Sequence, residues 1–181
     1  MSAGEIVFNI VFLAGVAAFL VFIGWLLWLV FTGRGRKGRA QYEQLGGLPA
    51  APDNPGEVVV GPTGGLYLGT TRADNWIDRI HIDGLGDRAQ ATATGYTHGV
   101  AIARKGATDL WIPAESLTGV RASDRAAGKV VHAGGVLALD WTMPGGTALT
   151  TALRADDKGD YPHWLVAYPG AAQPTDPDAA E

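Results

Sequence analysis

Residues 135–146 read Gly-Val-Leu-Ala-Leu-Asp-Trp-Thr-Met-Pro-Gly-Gly. Leu137, Leu139, Trp141 and Met143 fall on one face of this stretch, and Ala138, Asp140 and Thr142 on the other. Period-two alternation is the pattern of a strand with one face turned to a core, and the closing Pro144-Gly145-Gly146 is hairpin-loop chemistry. The same reading extends outward. Downstream, Leu149, Thr151 and Leu153 form another such row; upstream, His132-Ala133-Gly134-Gly135 reads as a loop. Further back, Leu110 and Ile112 flank Trp111, Val100 and Ile102 alternate with Ala101 and Ala103, and Ala89, Ala91 and Ala93 alternate with polar residues. Val58-Val59-Val60 precedes a turn at Gly61–Gly65, after which Leu66 and Leu68 share a face. Short strands separated by Gly-rich turns are the antiparallel signature.

One soluble helix is expected after these strands. Asp160 is placed to cap it, Pro162 suits the first turn, and Trp164, Leu165 and Tyr168 would share its buried face. Residues 75–80 suggest another helical turn. Six to eight strands closing over a short C-terminal helix, within residues 57–169, predict a small barrel or sandwich plugged at one end. Trp141 and Trp164 sit on apolar rows and are expected in its core.

The N-terminal segment is of a different kind. Ile6–Phe31 holds 23 apolar side chains in 26 positions, including all five Phe of the chain, and no charge occurs between Glu5 and Arg34. A 26-residue helix at about 1.5 Å per residue exceeds the ~30 Å hydrocarbon core, so residues 6–31 are read as one tilted transmembrane helix. Trp25 and Trp28 occupy its C-terminal end, where interfacial aromatics belong, and Arg34, Arg36, Lys37 and Arg39 follow directly. The positive-inside rule then places the N-terminus outside and the C-terminal domain in the cytoplasm, at the plasma (inner) membrane. A cleaved signal peptide fits less well, because the basic cluster lies on the wrong side and the apolar run is too long. Ala14, Gly15 and Ala18 offer a small-residue face for a homodimer through the membrane helix.

Gly33-Arg34-Gly35-Arg36-Lys37-Gly38 matches G-x-G-x-x-G in letters only, since no strand precedes it and no βαβ unit surrounds it. The four cations instead form a collar that attracts anionic lipid. Pro49, Pro52 and Pro55 recur every third residue, so residues 32–56 are read as a basic collar and an extended Pro/Gly-rich linker. Residues 170–181 are expected to be a disordered tail.

The words of the sequence also carry a resemblance. Gly65-Leu-Tyr-Leu-Gly-Thr-Thr71, Trp76-Ile-Asp-Arg-Ile80, Gly84-Leu-Gly-Asp-Arg-Ala89, Leu110-Trp-Ile-Pro-Ala-Glu-Ser-Leu117, Gly128-Lys-Val130 and Tyr161-Pro-His-Trp164, behind a single span and a basic collar, resemble the actinobacterial single-span membrane proteins with a cytoplasmic PH-like domain. Genes of that family often stand near pyrimidine biosynthesis genes, and its members are sometimes labelled transporter or export proteins. The resemblance implies a PH-like fold and a topology; it implies no particular chemistry.

Composition narrows the function further. The absence of Cys excludes disulfides, thiol nucleophiles and Cys-ligated metal. A net charge of −4 argues against a nucleic-acid partner. His81, His98, His132 and His163 are dispersed, and no nucleophile-elbow or P-loop pattern occurs, so no catalytic, metal or cofactor site is expected. The Asp156-Asp157-Lys158-Gly159-Asp160 run lacks the Glu that closes a calcium loop. A lone apolar helix encloses no polar path, which leaves at most an accessory role in transport. Residues 57–169 carry ten Lys and Arg against twelve Asp and Glu, and the first hairpin turn has no cation. Anionic-lipid sensing is therefore the second reading and enzymatic activity a more distant one. The leading expectation is a membrane-anchored PH-like module that tethers or scaffolds a protein partner, with Trp76, Arg79 and Trp111 as candidate partner-binding residues. The alternative for Arg79 is an ion pair with Asp78 or a neighbouring acid.

Overall fold

The computed structural model describes residues 3–45, 47–130 and 135–169, with backbone alone at 3, 5–10, 29–40, 43–44 and 129–130. The loop at 131–134 and the tail at 170–181 lie outside the described residues, as do the side chains of Arg34, Arg36, Lys37 and Arg39. The chain divides into two units, Met1–Arg39 and Ala40–Glu181.

Helix α1 covers Ala3–Leu45, so it continues past Phe31 through the Gly33–Gly38 run. Its window Val11–Trp28 has a mean hydropathy of 2.4 and none of it is buried within the protein. Trp25 and Trp28 stand exposed at the end of that window. Length and composition suit a membrane anchor or a signal sequence.

The second unit is built on one antiparallel sheet of seven strands. In chain order these are β1 (Val58–Arg72), β2 (Ala89–Tyr96), β3 (Gly99–Arg104), β4 (Leu110–Pro113) and β5 (Leu117–Ser123), then β8 (Val136–Thr142) and β9 (Ala148–Ala155). A separate two-stranded hairpin, β6 (Arg125–Ala126) with β7 (Lys129–Val130), lies between β5 and β8 in sequence. The spatial order is β4-β3-β2-β1-β9-β8-β5.

Strand β1 joins the two halves of the sheet. Val58–Tyr67 pairs with β2, and Gly65–Arg72 pairs with β9. Residues 65–67 carry both ladders at once. A Cβ on Gly65 would lie 2.8 Å from the Ala155 Cα and would also collide with the Arg154 carbonyl, so the crossover of the ladders requires glycine there. Register shifts near Val60 and between Tyr67 and Gly69 bend the strand. The bend turns both sheet halves around one core.

The alternating rows meet in that core. Val100, Ile102, Ile112, Leu137, Leu139, Trp141, Leu149 and Leu153 are buried with Trp164. A smaller cluster forms on the opposite face of the sheet, where Ala126 and Ala127 of the β6–β7 hairpin cover Leu68, Val136 and Ala152. Ala138, on the face opposite Leu137 and Leu139, is also buried.

Helix α2 (Tyr161–Ala167) closes the barrel, with Pro162 in its first turn. Asp160 does not cap it through its side chain. Asp157 instead accepts a 2.7 Å hydrogen bond from Gly159 N in the preceding turn. The helix is fixed by aromatic donors rather than by a leucine row. Trp164 Nε1 donates to Thr63 Oγ1 at 3.0 Å, Tyr161 OH to the Gly135 carbonyl at 3.2 Å, and Tyr168 OH to the Tyr96 carbonyl at 2.9 Å. Leu165 is 38% exposed and is not buried with Trp164.

The Pro-rich run belongs to the same unit as the sheet. Leu45 is 2% exposed within the core and Leu48 packs against it. Thr97 N donates to the Glu57 carbonyl at 3.0 Å, and His98 N to the Pro55 carbonyl at 3.2 Å. Glu57 N donates in turn to Thr97 Oγ1 at 3.2 Å. These bonds lay the run against the β2–β3 turn, where the sequence alone suggested an extended spacer.

Gly65→Ala is expected to destabilise the second unit by about 1–3 kcal/mol, because backbone rather than a flexible side chain occupies the Cβ position. Urea titration followed by tryptophan fluorescence measures the loss.

Candidate functional site

The connection from β1 to β2, residues 73–88, is the longest in the barrel and contains two of the three candidate partner-binding residues. Three of its apolar members point inward: Ile80, Ile82 and Leu85 are buried. Its backbone is tied to β1 by Thr70 N to the Leu85 carbonyl at 2.7 Å and by Ile80 N to the Thr70 carbonyl at 3.0 Å. The turn expected at 75–80 is not helical; the helical geometry falls later, in a 3-10 turn at Ile82–Gly84.

A buried polar chain holds this loop from inside. Trp141 Nε1 donates to Thr151 Oγ1 at 3.0 Å. Thr151 Oγ1 meets Thr70 Oγ1 at 2.7 Å, and Thr70 Oγ1 meets Tyr67 OH at 2.7 Å. Tyr67 OH donates to the Leu85 carbonyl, also at 2.7 Å. One orientation of the hydroxyls makes every member a donor to the next, so each buried group is satisfied in sequence. Burial pushes the Tyr67 phenol up to about 12 and the Tyr168 phenol likewise to about 12, and raises that of Tyr161.

Two arginines hold the loop from either flank. Arg79 does not pair with Asp78. Its guanidinium donates to the carbonyls of Leu68 at 3.3 Å, Ala127 at 2.6 Å, and Gly86. Asp78 is taken by Arg72, with Nε 3.2 Å from the carboxylate. Arg104 is only 4% exposed. It donates to the carbonyls of Thr108 (2.7 Å), Gly84 (2.9 Å) and Asp83 (3.1 Å), and lies 5.0 Å from the centre of the Tyr67 ring. A buried guanidinium is tolerable when its donors are satisfied and an aromatic face lies against it. Nothing in the sequence marked Arg104; only the approach of β3 to the 82–84 turn gives it these acceptors. On the far sheet half, Arg121 forms a two-bond pair with Asp140, at 2.7 and 3.3 Å.

What remains outside is a rigid apolar tip. Asn75 Oδ1 accepts from Ile77 N at 3.1 Å, Arg72 N donates to the Asp78 carbonyl at 3.0 Å, and Gly128 N donates to the Trp76 carbonyl at 2.9 Å. Trp76 is half-buried, while Ile77 is 64% exposed. Asp74 and Asp78 flank them.

Trp111 is not part of that tip. It is 5% exposed, lies against Tyr96 with ring centres 6.3 Å apart, and covers Gly99, where an added Cβ would sit 2.6 Å from the indole. The second sheet face is covered, which removes Trp111 as an exposed anchor. It helps to line a cleft of about 480 Å³, together with Tyr42, Leu48, Pro49 and Leu110. A shallower groove of about 430 Å³ beside Gln90 and Lys105 has mixed charge, and its Arg104 is already bonded. Among the described residues, no three His, Asp or Glu side chains converge as a metal site would need.

A bent antiparallel barrel with one end closed by a C-terminal helix, and its long first loop locked to the core, is the architecture of a PH-like interaction domain. The sequence agrees: residues 45–169 match the family described as Bacterial PH domain-like, and the chain belongs to that family. PH-like families are usually non-catalytic. Comparison with curated proteins and with solved structures gives no significant match.

Arg104→Met is expected to cost about 2–4 kcal/mol, since three carbonyls lose their donor at once; chemical denaturation measures it. Alkaline pH should destabilise the domain. An unfolded tyrosine ionises near 10, whereas Tyr67 in the folded state holds its proton to about 12. The stability is therefore full below pH 10 and falls between 10 and 12, by on the order of 1 kcal/mol per pH unit from Tyr67. Tyr67→Phe should flatten that part of the pH profile, as read by thermal melts at pH 8 to 11.

Proposed function

We propose that the chain is a single-pass membrane protein, with its N-terminus outside, whose PH-like domain tethers a protein partner at the cytoplasmic face of the plasma membrane. The observation that carries this reading is Ile77: a large apolar side chain, 64% exposed, on a turn held by hydrogen bonds at Asn75, Trp76, Ile77 and Asp78. Rigid apolar groups pay little ordering entropy on binding and serve as interface anchors. Trp76 lies next to it as a half-buried neighbour. Asp74 and Asp78 disfavour an anionic membrane as the target of this tip.

The electrostatics of the domain support the same choice over headgroup recognition. Arg79 and Arg104 are occupied by backbone carbonyls, and Arg72 and Arg121 by carboxylates. Arg79 therefore acts in this reading as a support for the turn rather than as a contact. The collar of Arg34, Arg36, Lys37 and Arg39 follows the apolar window, sets the orientation by the positive-inside rule, and attracts anionic lipid at about 1 kcal/mol per cation. Trp25 and Trp28 anchor the interface. Ala14, Gly15 and Ala18 allow two membrane helices to approach. No catalytic step is assigned to the domain.

A photo-crosslinking residue placed at 77 in the full chain, in intact cells, is expected to yield discrete protein adducts that position 158, on an exposed turn away from the tip, does not yield. Ile77→Ser should remove co-purification of the same adduct partner while leaving the melting temperature within a few degrees. Adducts to lipid alone, or identical adducts from both positions, would overturn the reading.

A further inference from the structure

The cleft beside Trp111 has a composition that the tethering role does not use. Its volume, about 480 Å³, lies in the range of small-molecule sites. Its walls are apolar and aromatic: Leu48, Pro49 and Leu110 with Tyr42 and Trp111. Its polar lining is dominated by two carboxylates, Asp83 and Asp109.

Asp83 is the more telling of the two. It adopts φ +44°, one of two non-glycine residues with positive φ among those described. A left-handed aspartate is uncommon backbone and is retained where the surroundings hold it. Here Arg104 holds its carbonyl at 3.1 Å. Its exposed side chain enters neither ion pair found among the described residues. Asp109 accepts Arg104 N at 3.0 Å through Oδ1. No Lys or Arg is among the described residues that line the cleft, and the Arg104 guanidinium is bonded to the carbonyls of Thr108, Gly84 and Asp83. Asp83 and Asp109 are the charged residues of the lining, so its net charge is negative.

We propose that this cleft binds a small organic cation of the quaternary ammonium class. Apolar walls disfavour a strongly hydrated metal ion or primary ammonium, whereas a quaternary ammonium gives up little hydration and is attracted by aromatic rings. The carboxylates supply the charge complementarity that a neutral apolar ligand would not need. The proposal does not rest on the tethering function, because Ile77 and Trp76 do not line the cleft.

The test uses the full chain in maltoside micelles, which carry no ammonium group. Choline is titrated against 3,3-dimethyl-1-butanol, its uncharged carbon analogue, and binding is read by calorimetry and by the Trp111 indole N–H resonance, assigned with Trp111→Phe. Choline is expected to bind saturably and to shift that resonance, with the alcohol at least about fivefold weaker. Asp83→Asn keeps a residue that tolerates the left-handed backbone, and is expected to weaken choline about fivefold with an unchanged melting temperature. No saturable choline binding, or equal affinity for the alcohol, would overturn the proposal whatever the variant does. Choline affinity unchanged in Asp83→Asn would also overturn it.

Discussion

A fifteen-residue strand that hydrogen-bonds to one neighbour through its first half and to another through its second cannot stay straight. This constraint on β1 shapes the rest of the domain. The two ladders overlap at residues 65–67, where the Arg154 carbonyl and Ala155 Cα leave no room for a Cβ on Gly65. Beyond the overlap, the strand bends at Gly69 and the sheet halves turn toward each other. The core, the closing helix and the long β1–β2 loop all fill the space that this bend encloses.

Filling that space with a loop creates a polar problem, and the chain solves it with side chains rather than with more ladder. Loop carbonyls at Asp83, Gly84 and Gly86 have no strand partner to satisfy them, and Leu85 has one, the Thr70 N–H of β1. Arg104 takes the first two, Arg79 takes that of Gly86, and Tyr67 shares that of Leu85 with Thr70 N. The same arrangement decides what the surface offers. Guanidinium groups bonded to the domain's own oxygens do not present a cationic basin to a phosphate. The β1–β2 turn is instead left rigid, with an apolar side chain on its outside.

Much of the fold was legible because period-two alternation is a local signal. Leu137, Leu139 and Trp141 announced the inner face of β8, and Tyr161-Pro-His-Trp164 announced the closing helix. The β6–β7 hairpin was not legible, since two-residue strands carry no period, and its Ala126 and Ala127 cover Val136 and Ala152. The Pro-rich run was misleading for a related reason. Proline spacing reports an extended backbone but not what it lies against, and Thr97 and His98 supply bonds that hold it to the barrel. Of the candidate site residues, Trp76 kept an accessible position, Trp111 turned out to be buried, and Arg79 became a clamp.

The sequence by itself determined the division into an apolar helix and a β domain, the strand faces, and the excess of acids over bases. Those properties follow from composition and from the repeat of neighbouring residues, which no tertiary contact can alter. Only the tertiary structure decided which arginines remain available, that Trp76 is half-buried and Trp111 buried, and that Asp83, Asp109, Tyr42 and Trp111 surround one cleft. Each of these depends on groups distant in the chain meeting in space. A guanidinium chooses between a carboxylate and a carbonyl according to which lies within hydrogen-bond reach after folding, and sequence spacing does not carry that distance.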